Sequence, residues 1–278
     1  MTHKTIPLAG VIGNPIAHSK SPLLHKHWLR TYGLPGDYVP MHVLDGDLEQ
    51  VLRIMPKMGF TGANVTIPHK VTALKIADQV SDRAILIGAA NTLSFGPDGR
   101  IHADNTDGIG FLENLRQNAP GWQAGAGPAV VLGAGGASRA IITALLDAGA
   151  TEINLTNRTR TKAEALKFEF GSKITVYDWV QAGNLLEDAA TVINTTSLGM
   201  TGCPELRVPL DGLRAGTVVT DLVYAPLQTH LLQEAEAAGC ITVDGLGMLL
   251  HQAVPGFERW FGKRPEVNDA ARAAILNG

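Results

Sequence analysis

The stretch PAVVLGAGGASRA, residues 128–140, constrains the fold of this chain more than any other. An apolar run reaches Leu132, glycines follow at 133, 135 and 136, and a helix-forming run begins near Ala137. Gly133 permits a tight turn, Gly135 lets the backbone approach a pyrophosphate, and the small Ser138 stands where the third glycine of G-x-G-x-x-G would sit. A helix opening there points its free N–H groups at phosphate oxygens. Such a turn alone is also what any tight strand-to-helix connection needs. The strand before it, the helix after it and the βαβ length around it favour dinucleotide binding.

The end of the next strand, about 20 residues on, discriminates between cofactors. An NAD site sets Asp or Glu there to accept from the ribose 2′-hydroxyl. This chain has NRTRTK instead: Asn157, Arg158, Thr159, Arg160 and Lys162. Guanidinium forks, hydroxyls and an ammonium suit a 2′-phosphate, which an acid would repel. A solvated helix start capped by Thr is the plainer reading of the string by itself. Coupled to the glycine turn, it specifies NADP.

Around this unit, apolar strands and amphipathic helices alternate. PLAGVIG, DYVPMHV, GANVTI, ANTLSF and RIHADN read as strands in the first half, the last two joined by a GPDG hairpin turn. SPLLHKHWLRTYG, GDLEQVLRIMPKMG and KVTALKIAD read as helices. The second half alternates EINLTN, TVINTTS, VVTDLVY and ITVDG with helices, and two helices, GMLLHQAVPGFERWFG and PEVNDAARAAIL, end the chain. The pattern predicts parallel sheets covered on both faces. The Gly/Ala/Pro-rich RQNAPGWQAGAGPAV is the one linker signal. Two α/β domains are expected, one at 1–106 with 245–278 and one at 107–244.

Composition excludes several function classes. The chain has 278 residues, 45% hydrophobic and 18% charged, with 23 basic against 26 acidic side chains and a net charge of −3. No basic excess or stripe supports nucleic-acid binding. The two cysteines, Cys203 and Cys240, make neither a disulfide framework nor a metal-ligand spacing. The nine histidines include no H-E-x-x-H pair. No metal site, no membrane span and no leader are expected, and a reducing, cytoplasmic address fits.

Polar residues cluster where apolar strands stop, the place at which α/β proteins form their crevices. Ser19 and Ser21 are alternate residues whose hydroxyls share one direction in an extended segment and would suit a carboxylate; Ser21 as the cap of the helix at Pro22 is the alternative. In GANVTIPHK, Asn64 and Thr66 share a face, and Pro68 breaks the strand just before His69 and Lys70. GAANT carries Asn91, and Asp104, Asn105, Thr106 and Asp107 precede a helix, where Asp107 is also an ordinary capping acid. Tyr224 follows DLV, and Gln252 interrupts an apolar helix face, where it needs a partner in a cleft or in the core.

The segments GNPIAHSKSP, GANVTIPHK, GAANTL, ADNTDGIGF, GAGGASRA, NRT, NTTSLGM, DLVYAP and GMLLHQA together resemble the shikimate dehydrogenase family, close to its NADP-dependent biosynthetic branch. They occur in family order over nearly the whole chain. The resemblance implies a substrate domain from the N-terminal half plus the last helices, a Rossmann-type NADP domain between, and a cleft where they meet. It implies reversible NADPH-dependent reduction of 3-dehydroshikimate to shikimate, a step towards chorismate and the aromatic amino acids, with a homodimer possible. By motif position Ser19 and Ser21 would bind the substrate carboxylate with Tyr224 nearby. Asn64, Thr66, Asn91, Asp107 and Gln252 would bind ring hydroxyls. Lys70 would be catalytic, paired with Asp107. Gly133, Ala134, Gly135, Gly136 and Ala137 would hold the pyrophosphate, and Asn157, Arg158, Thr159 and Lys162 the 2′-phosphate. Asp82, Leu222 and Gly245 match further cofactor positions. Asp82 is shorter than the Glu common there, and Lys162 replaces a common Arg. His69 has no role in this scheme. A quinate/shikimate dehydrogenase of broader specificity and a non-catalytic NADP sensor on the same scaffold are the competing functions.

Overall fold

A computed structural model describes residues 6–277. Residues 1–5, on which the expectation of no leader falls, and residue 278 lie outside the described residues. The chain divides into two compact units, residues 6–106 with 250–277, and residues 107–249. The division at 249/250 falls inside a helix, a few residues past the 244/245 boundary drawn from sequence.

The first unit contains β1 (Leu8–Gly13), α1 (Ser21–Thr31), β2 (Asp37–His42), α2 (Leu48–Ile54), β3 (Phe60–Val65), α3 (Lys70–Ile76), β4 (Gln79–Val80), α4 (Asp82–Ile87), β5 (Thr92–Phe95) and β6 (Ile101–Asp104). The second contains α5 (Asp107–Asn118), β7 (Ala129–Leu132), α6 (Gly136–Asp147), β8 (Ile153–Thr156), α7 (Arg160–Phe170), β9 (Ile174–Tyr177), β10 (Thr191–Asn194), β11 (Val218–Asp221), α8 (His230–Ala237) and β12 (Ile241–Val243). The boundary lies in α9 (Gly245–Phe261), and α10 (Asp269–Leu276) belongs to the first unit.

The first sheet has the order β2-β1-β3-β5-β6-β4. β1 runs parallel to β2 and β3, but β5 is antiparallel to both β3 and β6. This corrects the expectation of parallel sheets throughout. The GPDG turn, closed by Gly99 at φ +79, reverses the chain between β5 and β6 and makes the sheet mixed. The helix expected over 46–59 is also shorter. Pro56 has no N–H to give, so the chain tightens into a 3₁₀ turn at Met55–Met58 and stops on Gly59. β3 ends at Val65, three residues before Pro68.

Ile12, Leu48, Leu52, Ala63, Val65, Leu93 and Ile101 form one core of this unit. On the other side, Trp28, Tyr38, Phe257 and Trp260 surround His25. Gly62 makes room for that aromatic cluster. A Cβ there would lie 2.0 Å from Trp260 Nε1, which donates to Leu93 O at 2.9 Å. Gly62→Ala is therefore expected to destabilise the first unit by about 2–3 kcal/mol in urea unfolding, the scale of an overpacked core. An unchanged midpoint would show that the indole yields at no cost.

The second sheet is parallel throughout, in the order β12-β11-β10-β7-β8-β9. The chain leaves β7 outward through β8 and β9, then returns to β10 on the other side of β7. That reversal is the topological switch point of a Rossmann fold, where the strands' carboxyl ends leave a crevice. Val131, Ile141, Leu145, Ile153, Leu155 and Ile193 are buried in its core. Among the described residues no helix is long and apolar enough to cross a membrane.

Candidate functional site

Strand register brings the first unit's polar candidates to one edge of its sheet. Ile12 pairs Val65, Asn64 pairs Thr92, and Thr92 pairs Asp104. The ends of β1, β3 and β6 and the start of β5 therefore lie side by side. Ser21 is the first residue of α1, and the N-cap is Lys20 with no side-chain cap bond. The capping alternative for Ser21 thus fails. Its hydroxyl bonds the Tyr38 phenol instead, while Ser19 Oγ accepts from Ser21 N at 3.4 Å.

From Ser21 a buried chain of hydrogen bonds runs along that edge. Tyr38 donates to Asn64 Oδ1 at 2.7 Å, and Asn64 Nδ2 donates to Asn91 O at 3.1 Å and Thr92 Oγ1 at 3.3 Å. Asn91 Oδ1 accepts from Thr106 N at 2.9 Å, and Asn91 Nδ2 donates to Gln252 Oε1 at 3.2 Å. The partner that Gln252 needed is therefore Asn91, itself a candidate. Tyr38 and Thr92 join the network without having been singled out as candidate site residues, although Thr92 lies within GAANTL. A Tyr in an apolar strand signals an inward ring, and its hydroxyl must then find a partner.

Thr66 stands just past β3, its N–H donating to Ile12 O at 2.9 Å. A Cβ on Gly13 would come within 2.6 Å of Thr66 Cγ2, so glycine is what lets the two loops meet. Lys70 is the first residue of α3 and is half-buried, with its carbonyl accepting from Ala90 N at 2.9 Å. His69 is buried beneath it, its Nε2 2.8 Å from Val43 O and its Nδ1 3.7 Å from Asp45. Donation to a carbonyl requires the Nε2–H tautomer. His69 thus anchors the turn that presents Lys70.

Asp104 has a structural role. Its carboxylate accepts from Ser81 Oγ at 2.7 Å, Arg83 Nε at 2.7 Å and Arg259 Nη2 at 2.5 Å. Burial opposes its ionisation, but Arg83, Ser81 and Arg259 hold the carboxyl well below the usual range. Asp82 sits exposed in the first turn of α4, where a negative charge suits the helix N-terminus.

In the second unit Gly133 has φ +110, and a Cβ would lie 2.7 Å from Thr195 Oγ1 and Thr196 Cγ2. The glycine turn therefore rests directly on the NTTS segment after β10. Gly135 caps α6 without a side chain, and Cβ atoms on Gly135 or Gly136 would meet nothing within 4 Å. That open space over the first N–H groups of the helix is the cradle a pyrophosphate requires. Ser138 is buried and its Oγ donates to Gly135 O at 2.6 Å, bracing the turn from below. Asn157 braces it from the side, with Oδ1 accepting from Ala134 N at 3.1 Å and Nδ2 donating to Thr159 O at 2.8 Å.

Thr159 is the backbone N-cap of α7, yet its side chain makes no cap bond. The capping explanation of NRTRTK therefore lacks its hydrogen bond. Arg160 pairs with Glu164 and, at 2.7 Å, with Asp178; Arg139 pairs with Glu169. Among the described residues Arg158 and Lys162 form no ion pair, and both are exposed. Leu222 and Gly245 come together: a Gly245 Cβ would lie 2.4 Å from Leu222 O. Tyr224 follows two residues on, with an exposed side chain whose partial burial pushes its phenol up. The residues present fit NADP, with a bare cradle suited to a pyrophosphate and two exposed cations just past β8.

Three family models match the chain: the shikimate dehydrogenase substrate binding domain over residues 11–93, shikimate / quinate 5-dehydrogenase over 121–201, and the shikimate 5′-dehydrogenase C-terminal domain over 245–275. Among similar proteins is the shikimate dehydrogenase (NADP(+)) of Ruegeria sp. (strain TM1040), 69% identical over 99% of this chain and 100% of that one. The solved structure of shikimate 5-dehydrogenase from Thermus thermophilus, in complex with NADP(H) and shikimate, is 36% identical with TM-score 0.87, covering 98% of this chain and 99% of that one. Quinate dehydrogenase from Corynebacterium glutamicum, in complex with NAD, is 29% identical with TM-score 0.90, over 98% and 99% of the two chains.

Proposed function

This chain belongs to the shikimate dehydrogenase family, and from that premise we propose that it catalyses the reversible NADPH-dependent reduction of 3-dehydroshikimate to shikimate. The reaction feeds chorismate and aromatic amino acid synthesis. One observation carries the residue assignment: the continuous polar edge from Ser21 through Tyr38, Asn64 and Asn91 to Gln252, with Lys70 opening the adjoining helix.

Bound NADPH supplies the hydride that reaches the ring carbonyl carbon. The carbonyl oxygen then takes on alkoxide character and needs a positive charge and a proton. Protonated Lys70 provides both; in the reverse direction neutral Lys70 accepts the proton. Asp107 is its acid/base partner. Ser19, Ser21 and Tyr224 bind the carboxylate, while Thr66, Asn64, Asn91 and Gln252 fix the ring hydroxyls. Asn64 enters this task pre-oriented, because Tyr38 and Thr92 already hold its amide. Residues Gly133 to Ala137 hold the pyrophosphate, with Asp82, Leu222 and Gly245 against the cofactor.

Arg158 and Lys162 supply NADP selectivity, with Thr159 beside them and Asn157 bracing their loop. Arg158→Ala should raise KM for NADP+ by roughly 10- to 100-fold, the scale of a charge-assisted hydrogen bond, and leave KM for NAD+ nearly unchanged. A parallel rise for both cofactors would remove Arg158 from the 2′-phosphate site.

Absorbance at 340 nm with shikimate or quinate, each with NADP+ or NAD+, tests the whole reading. Shikimate with NADP+ should dominate. A preference for quinate with NAD+ would favour the broader quinate/shikimate activity, and no turnover would favour a non-catalytic NADP sensor.

A further inference from the structure

Two polar residues sit side by side in the centre of the second sheet's carboxyl edge, and the reaction scheme uses neither. Asn194 ends β10, Asp221 ends β11, and the two are register partners. Both are buried, at 0% and 1% exposure. Asp221 Oδ1 accepts from Asn194 Nδ2 at 2.9 Å and from Val223 N at 3.0 Å, and Oδ2 accepts from Thr229 Oγ1 at 2.8 Å. Asn194 continues the network: its Oδ1 accepts from Thr196 N at 3.0 Å, its Nδ2 donates to Leu198 O at 3.2 Å, and its carbonyl accepts from Leu222 N at 3.0 Å. One carboxylate thus ties together the 195–198 loop, the 222–224 arm and the cap of α8.

We propose that Asp221 is a positioning residue: its ionised carboxylate holds the 222–224 arm and the 195–198 loop in the shape that receives the second mononucleotide half of NADP(H). The inference rests on the functional reading above, because it takes Leu222 and Tyr224 as parts of the site. Thr195 and Thr196 also touch the space beside Gly133, so the same clamp reaches the pyrophosphate turn.

The three donors explain why charge matters here. Oδ1 already faces two N–H groups, so a proton can only go to Oδ2. There it must donate to Thr229 Oγ1, which already accepts from Leu232 N at 3.4 Å as the cap of α8. Protonation therefore reverses the Thr229 bond and slackens one end of the clamp. Burial pushes the Asp221 carboxyl up to about 6, against the hydrogen bonds of Val223, Thr229 and Asn194 that lower it. Its contacts are all neutral. Ionisable side chains on the flanking elements are His230, Glu234 and Glu236 of α8, all exposed, with His230 and Glu234 3.9 Å apart, and Asp244 beyond β12, whose Oδ1 accepts from Leu246 N.

Asp221→Asn keeps the shape, but its amide offers two hydrogens where Oδ2 accepted one. NADPH affinity of wild type and variant is compared by cofactor fluorescence at pH 8 and pH 5. The 2′-phosphate also titrates, at about 6, but equally against both proteins, so the ratio cancels it. At pH 8 the variant should bind about 10-fold more weakly, the scale of one charge-assisted hydrogen bond, and at pH 5 the two should converge. A ratio that stays constant with pH, or equal affinities at pH 8, overturns the proposal. Should Asp221→Asn fail to fold, Thr229→Val must weaken NADPH binding at pH 8 while Thr229→Ser restores it; a Val variant that binds as wild type also overturns it. Wild type that takes up no NADPH fails the functional reading itself, whereas wild type that binds alongside unaltered variants fails only the role of Asp221.

Discussion

Lys70→Ala is expected to lower kcat for shikimate oxidation by roughly 10²–10⁴ and to change KM for shikimate little, the usual scale for loss of a general acid–base group. The structure makes this a clean test. The turn carrying Lys70 is held by backbone and by its neighbour: Ala90 N donates to Lys70 O at 2.9 Å, and His69 is fixed to Val43 O at 2.8 Å. Neither bond involves the Lys70 side chain, so truncation should leave the turn itself in place. The polar edge that would hold the ring is likewise built from other residues, which is why the loss should fall on turnover and not on binding. Near-normal turnover in the variant would remove Lys70 from the chemistry. A pH–rate profile of Asp107→Asn completes the test, since a true partner shifts the profile and a mere capping acid only lowers stability.

Much of this arrangement is legible in the sequence because glycines and strand-end polar residues carry local meaning. Gly133 needs both its φ of +110 and its missing Cβ, and the string around it announces that requirement. The alternation of the second half leads directly to a parallel sheet. The first sheet misleads because alternation alone implies parallel pairing, although GPDG marks a hairpin; a two-strand reversal outweighs the general pattern. β4 and α4 leave no signal that a period can detect, because a strand of two residues, Gln79–Val80, and a helix of six, Asp82–Ile87, are too short to stand out against their surroundings. Tyr38 and His25 are invisible for a different reason. Apart from Trp28, three residues after His25, their partners are distant in sequence, Asn64 for Tyr38 and Tyr38, Phe257 and Trp260 for His25, so no local pattern records the cluster.

His25 leads to the second large effect, a loss of stability in acid confined to the first unit. Its ring stacks on Tyr38 with centroids 3.8 Å apart and planes within 6°, and neither ring nitrogen has a hydrogen-bond partner among the described residues. Burial lowers its pKa from 6.5 to about 3. Between those values the unfolded chain binds the proton and the folded unit does not, so unfolding free energy rises with pH. The contribution is complete above pH 6.5 and is lost progressively down to about pH 3, amounting to roughly 5 kcal/mol at 1.36 kcal/mol per pKa unit. Asp221 has the opposite sign in the second unit. Its pKa is raised from 3.8 to about 6, so the stability it contributes is present at low pH and is lost as pH rises through 6. The two units should therefore answer acid in opposite directions and unfold in separable steps. His25→Phe keeps the aromatic stack and removes two unpartnered polar atoms. Its first unit should be no less stable than wild type at pH 7, and at pH 4.5 it should be more stable by roughly 3 kcal/mol, two pKa units' worth. Urea unfolding followed by tryptophan fluorescence reads this directly, because Trp28 and Trp260 lie in the same cluster as His25. Identical pH slopes for variant and wild type would mean that His25 is protonated in the folded protein, and the acid sensitivity would have to be sought elsewhere.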